Sequence, residues 1–119
     1  MLDNPKKTIN LISILKAATP FEVELSRSLI DHLRAQRVVL DAEPRRLVSE
    51  ISYFSEEGGI LCRMEPKEGE GALIVSITHL EVPRALPFAA AVLDYQEHRM
   101  KKLKKLHGGN WKAYLTAKS

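Results

Sequence analysis

The sequence has very little cysteine and no long apolar run. Cys62 is the only cysteine among 119 residues, so the chain can form neither an internal disulfide nor a thiolate cluster that would hold zinc. The longest apolar run, Ala85 to Leu93, ends at Asp94 after nine residues, whereas a membrane-spanning helix needs about 20. Since the amino terminus also lacks an apolar signal core, we expect a cytoplasmic protein with a buried Cys62 and no membrane partner.

The motifs of several enzyme classes are also missing. The glycines match neither a phosphate-binding loop nor a dinucleotide fingerprint, and no Gly-x-Ser-x-Gly segment is present. The four histidines never occur in a metal-binding spacing such as His-Glu-x-x-His. We interpret His79 as a structural or surface residue at the end of a strand. These absences predict a non-enzymatic protein that needs neither a cofactor nor a metal.

What is present indicates one soluble folded domain with an uneven distribution of charge. Apolar residues make up 45% of the chain and charged residues 28%, which is typical of globular proteins. Residues 1–83 contain ten Lys or Arg against thirteen Asp or Glu, and residues 84–119 contain eight against two. The net charges of these two parts are therefore −3 and +6. Such an asymmetry indicates a nucleic acid or an acidic protein as the partner.

Apolar spacing predicts helices at both ends of the chain. Residues 8–18 repeat apolar side chains every three or four positions. Thr19, Pro20 and Glu22 make a capping box with proline at the first helical position, which predicts a second helix from Pro20 to Gln36. The pattern from Phe88 to Leu106 predicts a long helix with an apolar side and a lysine-rich side.

Residues 42–57 fit two different patterns. Leu47, Val48, Ile51 and Phe54 stand at i, i+1, i+4 and i+7, which favours a helix. As a strand, the same segment would place Val48 and Phe54 on one face and Leu47 and Ile51 on the other. We prefer the helix. The alternative is an α+β domain in which residues 47–55 form a strand.

Two strands are predicted after this segment. Residues 60–65 place Ile60, Cys62 and Met64 on one face, and residues 72–80 do the same with alternate apolar side chains. Between them, residues 66–71 contain two glycines and a proline, which is typical of a hairpin tip. The sequence therefore predicts a β-hairpin.

Three helices followed by a hairpin resemble the winged helix-turn-helix proteins, in particular the small winged-helix proteins of Mu-like phages. The likeness covers residues 8–82, and Arg45 to Leu61 is similar to a recognition helix that leads into the first wing strand. The resemblance implies an α+β, mostly helical fold with a hairpin wing. Residues 84–107 would form a long C-terminal helix, and residues 108–119 a tail.

The resemblance also implies a transcriptional regulator that inserts helix 42–57 into the major groove of duplex DNA. Arginines and hydroxyl groups on this helix would contact bases and phosphates. The wing and the long helix would add further cations. The implied DNA-binding residues are Arg45, Arg46, Ser49, Ser52, Tyr53, Arg63, Lys67, Lys101, Lys102, Lys104 and Lys105.

Other features bear on partners. The apolar side of the long helix predicts a homodimer through Phe88, Val92, Met100 and Leu103. The wing carries Glu65, Glu68 and Glu70, which would repel phosphates and favours the alternative of a protein-interaction module that does not bind DNA.

The tail carries an aromatic pair. Trp111 and Tyr114 beside Lys112 either pin the tail to the domain or stack on bases.

Overall fold

The computed structural model describes residues 5–54, 58–107 and 117–118. They form, in chain order, α1 (Pro5–Ala18), β1 (Phe21–Leu25), α2 (Arg27–Ala35), β2 (Arg45–Tyr53), β3 (Ile60–Met64), β4 (Leu73–Ser76), a 3-10 turn (Ile77–His79), β5 (Leu80–Glu81), α3 (Ala89–His107) and β6 (Ala117–Lys118). The strands make one antiparallel sheet in the order β5-β1-β2-β3-β4-β6. The prediction of a mostly helical winged helix is wrong, because the protein is an α+β domain built on this sheet.

The helices contribute to one core on a single side of the sheet. Alternate residues of the strands are buried, such as Val23 in β1 and Cys62 in β3, and Leu15, Leu29 and Val92 from the three helices join the same core. The other alternate residues lie on the outer face of the sheet, and many of them are charged. An antiparallel sheet with one covered face follows this pattern.

The second predicted helix begins later than its capping box suggested. Residues 21–25 alternate between buried and exposed side chains as β1, which is the period of a strand. Helix α2 starts at Arg27, where the Ser26 hydroxyl accepts a hydrogen bond from the amide of Leu29 at 3.2 Å. The first residues of the predicted helix therefore form a strand. The N-cap of the observed helix α2 is Ser26 and not Thr19.

The predicted recognition helix is also a strand, and a β-bulge explains the error. The pairing of β2 with β3 shifts between Val48 and Glu50, so one extra residue enters β2 there. The bulge places Val48 and Ile51 on the same buried face although they are three residues apart. This spacing imitates the period of a helix. Residues 45–53 lie in the sheet. The prediction that a helix of residues 42–57 inserts into a major groove is therefore wrong.

The predicted hairpin is confirmed. Strands β3 and β4 pair in antiparallel register, with Cys62 opposite Val75, and residues 65–72 connect them. The second strand ends earlier than predicted. After Ser76 the chain makes a 3-10 turn and then crosses to pair Leu80 with Leu25 of β1 at the opposite edge of the sheet.

The long C-terminal helix is confirmed as α3, and it is part of the core. The amide nitrogen of Gln96 donates to the carbonyl oxygens of Ile77 and Leu80 at 2.7 and 2.6 Å, which fixes α3 to the 3-10 turn. Phe88 and Val92 are buried against the sheet, so they cannot form a face for a second copy. Met100 is half-buried.

Some predicted features fall outside the described part of the chain. They are the predicted dimer contact of the Leu103 side chain and the predicted role of Trp111 and Tyr114 in the tail. Residues 117–118 do lie in the sheet, where they pair with Ile74 and Val75 of β4. None of the helices in the described ranges is long and apolar enough to span a membrane.

Cys62 is buried, as predicted. It lies in β3, between β2 and β4, and its side chain is fully excluded from solvent. Burial raises the pKa of its thiol to about 12, because the charged thiolate is poorly solvated in the core.

We expect the buried His79 to make the stability of the fold depend on pH. Burial, together with the positive charge of Arg99 and the neighbouring His32, lowers the pKa of His79 from 6.5 to about 4. Below pH 6.5 the unfolded chain takes up a proton that the folded chain does not bind until about pH 4. We therefore expect the free energy of unfolding to fall by up to about 3 kcal/mol as the pH falls across this window.

Urea unfolding between pH 7 and 4.5 measures this effect. The variant His79→Gln has no imidazole to protonate, so its stability should change much less over the same range. An equally steep loss of stability in the variant would assign the effect to other groups.

Candidate functional site between the first and third helices

Helices α1 and α3 run antiparallel on the covered side of the sheet. Helix α1 ends three residues before Phe21, and α3 begins directly after Phe88. The rings of these two phenylalanines meet edge to face with their centroids 5.0 Å apart. The end of α1 therefore lies beside the start of α3. At a rise of 1.5 Å per residue, Lys7 and His98 both lie roughly 15 Å from this ring pair.

A cleft of about 340 Å³ lies between the two helices. Its volume is at the lower end of the range of small-molecule pockets. The lining combines apolar, amide, hydroxyl, acidic and basic side chains from α1 and α3. They are Lys7, Thr8, Asn10, Leu11, Ile14, Ala91, Asp94, Tyr95 and His98.

The chemistry of the lining changes along the cleft. Lys7 and His98 lie at the end that leads toward the last turns of α3, and Ile14 and Ala91 lie at the end beside the phenylalanine pair. Asp94 stands one turn before His98 on α3. The cleft is therefore cationic at one end, acidic near its middle and apolar at the other end.

Both helices carry lysines close in sequence to the residues of the cationic end. Helix α1 carries Lys6 and Lys7 and no acidic residue, and α3 carries Lys101 and Lys102 one turn beyond His98. All four lysines are exposed. We call these four residues the lysine surface. The sequence showed the α3 lysines, but the α1 lysines join them only through the antiparallel packing of the helices.

Arg99 does not belong to this surface. Its side chain is 1% exposed and lies over the Tyr95 ring, with the guanidinium carbon 5.8 Å from the ring centroid. The hydroxyl oxygen of Tyr95 accepts a hydrogen bond from the amide of Ile60 at 3.1 Å. Both side chains therefore join α3 to the start of β3.

Arg46, which the sequence predicted to contact DNA, is buried. Its guanidinium lies 2.5 Å from a carboxylate oxygen of Glu70, and both side chains are fully excluded from solvent. It also donates to the backbone carbonyls of Glu43 and Arg45. The carboxylate of Glu70 accepts from the amides of Asp41 and Lys67 at 2.7 and 2.9 Å. Arg46 therefore connects two loops and cannot reach a ligand.

Opposing effects act on the pKa of Glu70. Burial raises it, while the two backbone amides and the Arg46 guanidinium lower it, and the net result is a pKa below the ordinary value. The carboxylate is therefore ionised when it pairs with Arg46.

Arg45 is exposed but already paired. Its guanidinium donates to the Glu43 carboxylate at 2.9 and 3.1 Å. This hydrogen bond holds the pKa of Glu43 at about 2 and raises that of Arg45. Arg45 lies on the outer face of the sheet, away from α3.

The other predicted DNA-binding residues do not form one site. Ser52 and Arg63 are exposed on the outer face, and the hydroxyl of Ser49 donates to the carbonyl of Arg63 at 3.3 Å. Tyr53 lies at the end of β2, and Lys67 lies in the loop after β3. The side chains of Lys104 and Lys105 fall outside the described part of the chain. Arg45, Ser52 and Arg63 thus lie on the face of the sheet opposite to the helices.

Comparisons with known proteins give no relative for this chain. No family model matches it, and neither a curated protein nor a solved structure is significantly similar to it. Among the described residues, no group of His, Cys, Asp or Glu is arranged to hold a metal ion.

Proposed function

We propose that the chain is a non-enzymatic nucleic-acid-binding protein that holds a phosphate backbone on the lysine surface. The observation that carries the proposal is that Lys7 and His98 line the same end of the cleft, with Lys6 next to Lys7 on α1 and with Lys101 and Lys102 one turn beyond His98 on α3. Phosphate contacts supply most of the non-specific affinity of nucleic-acid-binding proteins. The net charge of +6 in residues 84–119 supports the same partner.

This proposal keeps nucleic acid as the partner and keeps Lys101 and Lys102 from the predicted contacts, while Lys6 and Lys7 replace the predicted contacts in the sheet. The outer face carries acidic residues such as Glu22, Glu24 and Glu50 among its arginines, so it would repel a phosphate backbone in part. Helix α3 has its acidic residues, Asp94 and Glu97, farther from its end than Lys101 and Lys102. Affinity should therefore depend on the lysines of α3 and not on Arg45.

Reversing the charge of two lysines tests the proposal. We expect Lys101→Glu with Lys102→Glu to weaken binding of a labelled oligonucleotide by on the order of tenfold or more at low salt. The slope of log affinity against log salt should fall by about one for each lost phosphate contact. Fluorescence anisotropy over a series of salt concentrations measures both quantities.

A control with the same change in net charge separates local contact from overall attraction. Arg27 and Arg34 are exposed on α2, and Arg27→Glu with Arg34→Glu should change the affinity much less. Arg45→Ala should leave it unchanged. Equal losses in the two double variants would contradict a lysine surface.

A protein-interaction module is the second candidate function. The side chains of Leu47 and Phe54 are 43% and 64% exposed, and the burial pattern of β2 places Leu47 on the outer face of the sheet. Exposed apolar side chains among charges are found at protein interfaces. Absence of oligonucleotide binding at low salt would favour this candidate. Homodimerisation stays a prediction.

A further inference from the structure

We propose that the α1–α3 cleft receives one unstacked guanine base of a single-stranded nucleic acid. The inference rests on the proposed function, because the phosphates on either side of that base would lie on the lysine surface. It assigns a specific ligand to a cleft that phosphate binding alone does not use.

The position and size of the cleft fit a single nucleotide. Its cationic end, with Lys7 and His98, adjoins the lysine surface, so a strand bound there passes the mouth of the cleft. A volume of about 340 Å³ suits one base with its sugar and excludes a stacked duplex. Sequence-specific recognition of single strands commonly uses bases turned out of the stack into such pockets.

The order of the lining side chains sets the orientation of the nucleotide. The phosphate belongs near Lys7 and His98, because a phosphate beside Asp94 would meet a like charge. The base then extends toward Asp94 and the apolar end formed by Ile14 and Ala91. Its ring faces can pack on those apolar side chains while its edge meets the polar ones.

Asp94 selects the kind of base. An ionised carboxylate only accepts hydrogen bonds, and it accepts two at once from adjacent donors. Guanine offers two adjacent donors, at N1 and N2, whereas thymine offers one donor between two carbonyl acceptors. In adenine and cytosine the amino group stands next to a ring nitrogen that accepts, which a carboxylate repels. The amide of Asn10, on the opposite wall, can donate to the guanine O6.

Two labelled oligonucleotides test this assignment. One is a single-stranded heptathymidylate, and the other carries a guanine at its central position. We expect the whole protein to bind the guanine-containing strand about fivefold to tenfold more tightly in fluorescence anisotropy at low salt. Asp94→Asn removes one acceptor and Ala91→Trp fills the cleft, so each should abolish the preference while thymidylate binding remains.

Ala90→Trp is the matched control for the cleft-filling variant. Ala90 is exposed on the same turn of α3 but lines the groove beside β5 instead of the cleft. This variant should keep the preference for guanine. Circular dichroism of all variants confirms that the fold is retained.

The possible failures are distinguishable. If the wild-type protein binds both strands equally, the guanine assignment is overturned and the proposed function stands. The same conclusion follows if Asp94→Asn and Ala91→Trp both retain the preference. If neither strand binds at low salt, the proposed function fails, and the assignment fails with it.

Discussion

Replacing Arg46 with alanine should lower the free energy of unfolding by about 3 to 5 kcal/mol. The change leaves the carboxylate of Glu70 buried without its counter-charge, and an unpaired buried charge is far more costly than a lost surface ion pair. Urea unfolding at pH 7 measures the effect. The two loops that meet at this pair, around residues 41–46 and 67–70, should open with it.

Two further variants identify the cause. Arg45→Ala removes an exposed neighbour with the same side chain, and we expect its stability to change little, because solvent screens an exposed ion pair. In the double variant Arg46→Met with Glu70→Gln, no charge remains buried and the glutamine oxygen still accepts a backbone amide. It should regain part of the lost stability. A cost for Arg46→Ala no greater than for Arg45→Ala would show that the buried pair contributes nothing.

Gly59→Ala should destabilise the protein by about 4 kcal/mol, for two reasons that add. Gly59 has a φ of +67°, which is unfavourable for residues with a side chain. A β-carbon there would also lie 2.5 Å from the Tyr95 hydroxyl and 2.8 Å from the Arg99 guanidinium carbon. Both side chains are buried, so neither can move aside without disturbing α3. Thermal or urea unfolding gives the difference.

Gly69 provides the control for this variant. Its φ is +83°, but a β-carbon there would meet no atom within 4 Å. Gly69→Ala therefore introduces backbone strain without a steric contact, and it should lower the free energy of unfolding by about 1 to 2 kcal/mol. If the two alanine variants are equally stable, the contact of Gly59 with α3 is not tight.

The sequence predicted the elements in which one periodicity was undisturbed. The first and last helices and the hairpin of β3 and β4 were predicted within a few residues of their observed ends. Each of them follows a single period over its whole length, and turn residues bound the hairpin. Local pattern therefore sufficed for these elements.

The errors in the two misassigned strands have different causes. The bulge in β2 moves its buried residues to a three-residue spacing, which no alternation rule anticipates. In β1, a capping box and an apolar i, i+4 pair outweighed the stricter alternation of Phe21-Glu22-Val23-Glu24-Leu25. That alternation was the usable signal for a strand.

The candidate site was only half visible in the sequence. The lysines of α3 stand close together in the chain, whereas Lys6 and Lys7 lie more than 90 residues earlier. The cleft exists because α1 and α3 pack antiparallel, and only tertiary structure gives that direction. Arg46 illustrates the converse, since a cation expected at a surface is buried against a distant carboxylate.

The central position of Cys62 gives the molecule an internal reporter of opening. Maleimides and similar reagents react with the thiolate, and a pKa of about 12 leaves almost none at neutral pH. Alkylation must therefore wait until β3 separates from its neighbours and the sulfur reaches water. When reclosing is faster than alkylation, the labelling rate follows the population of opened molecules. Mass spectrometry of alkylated Cys62 can thus compare how often each variant opens, without an added fluorophore.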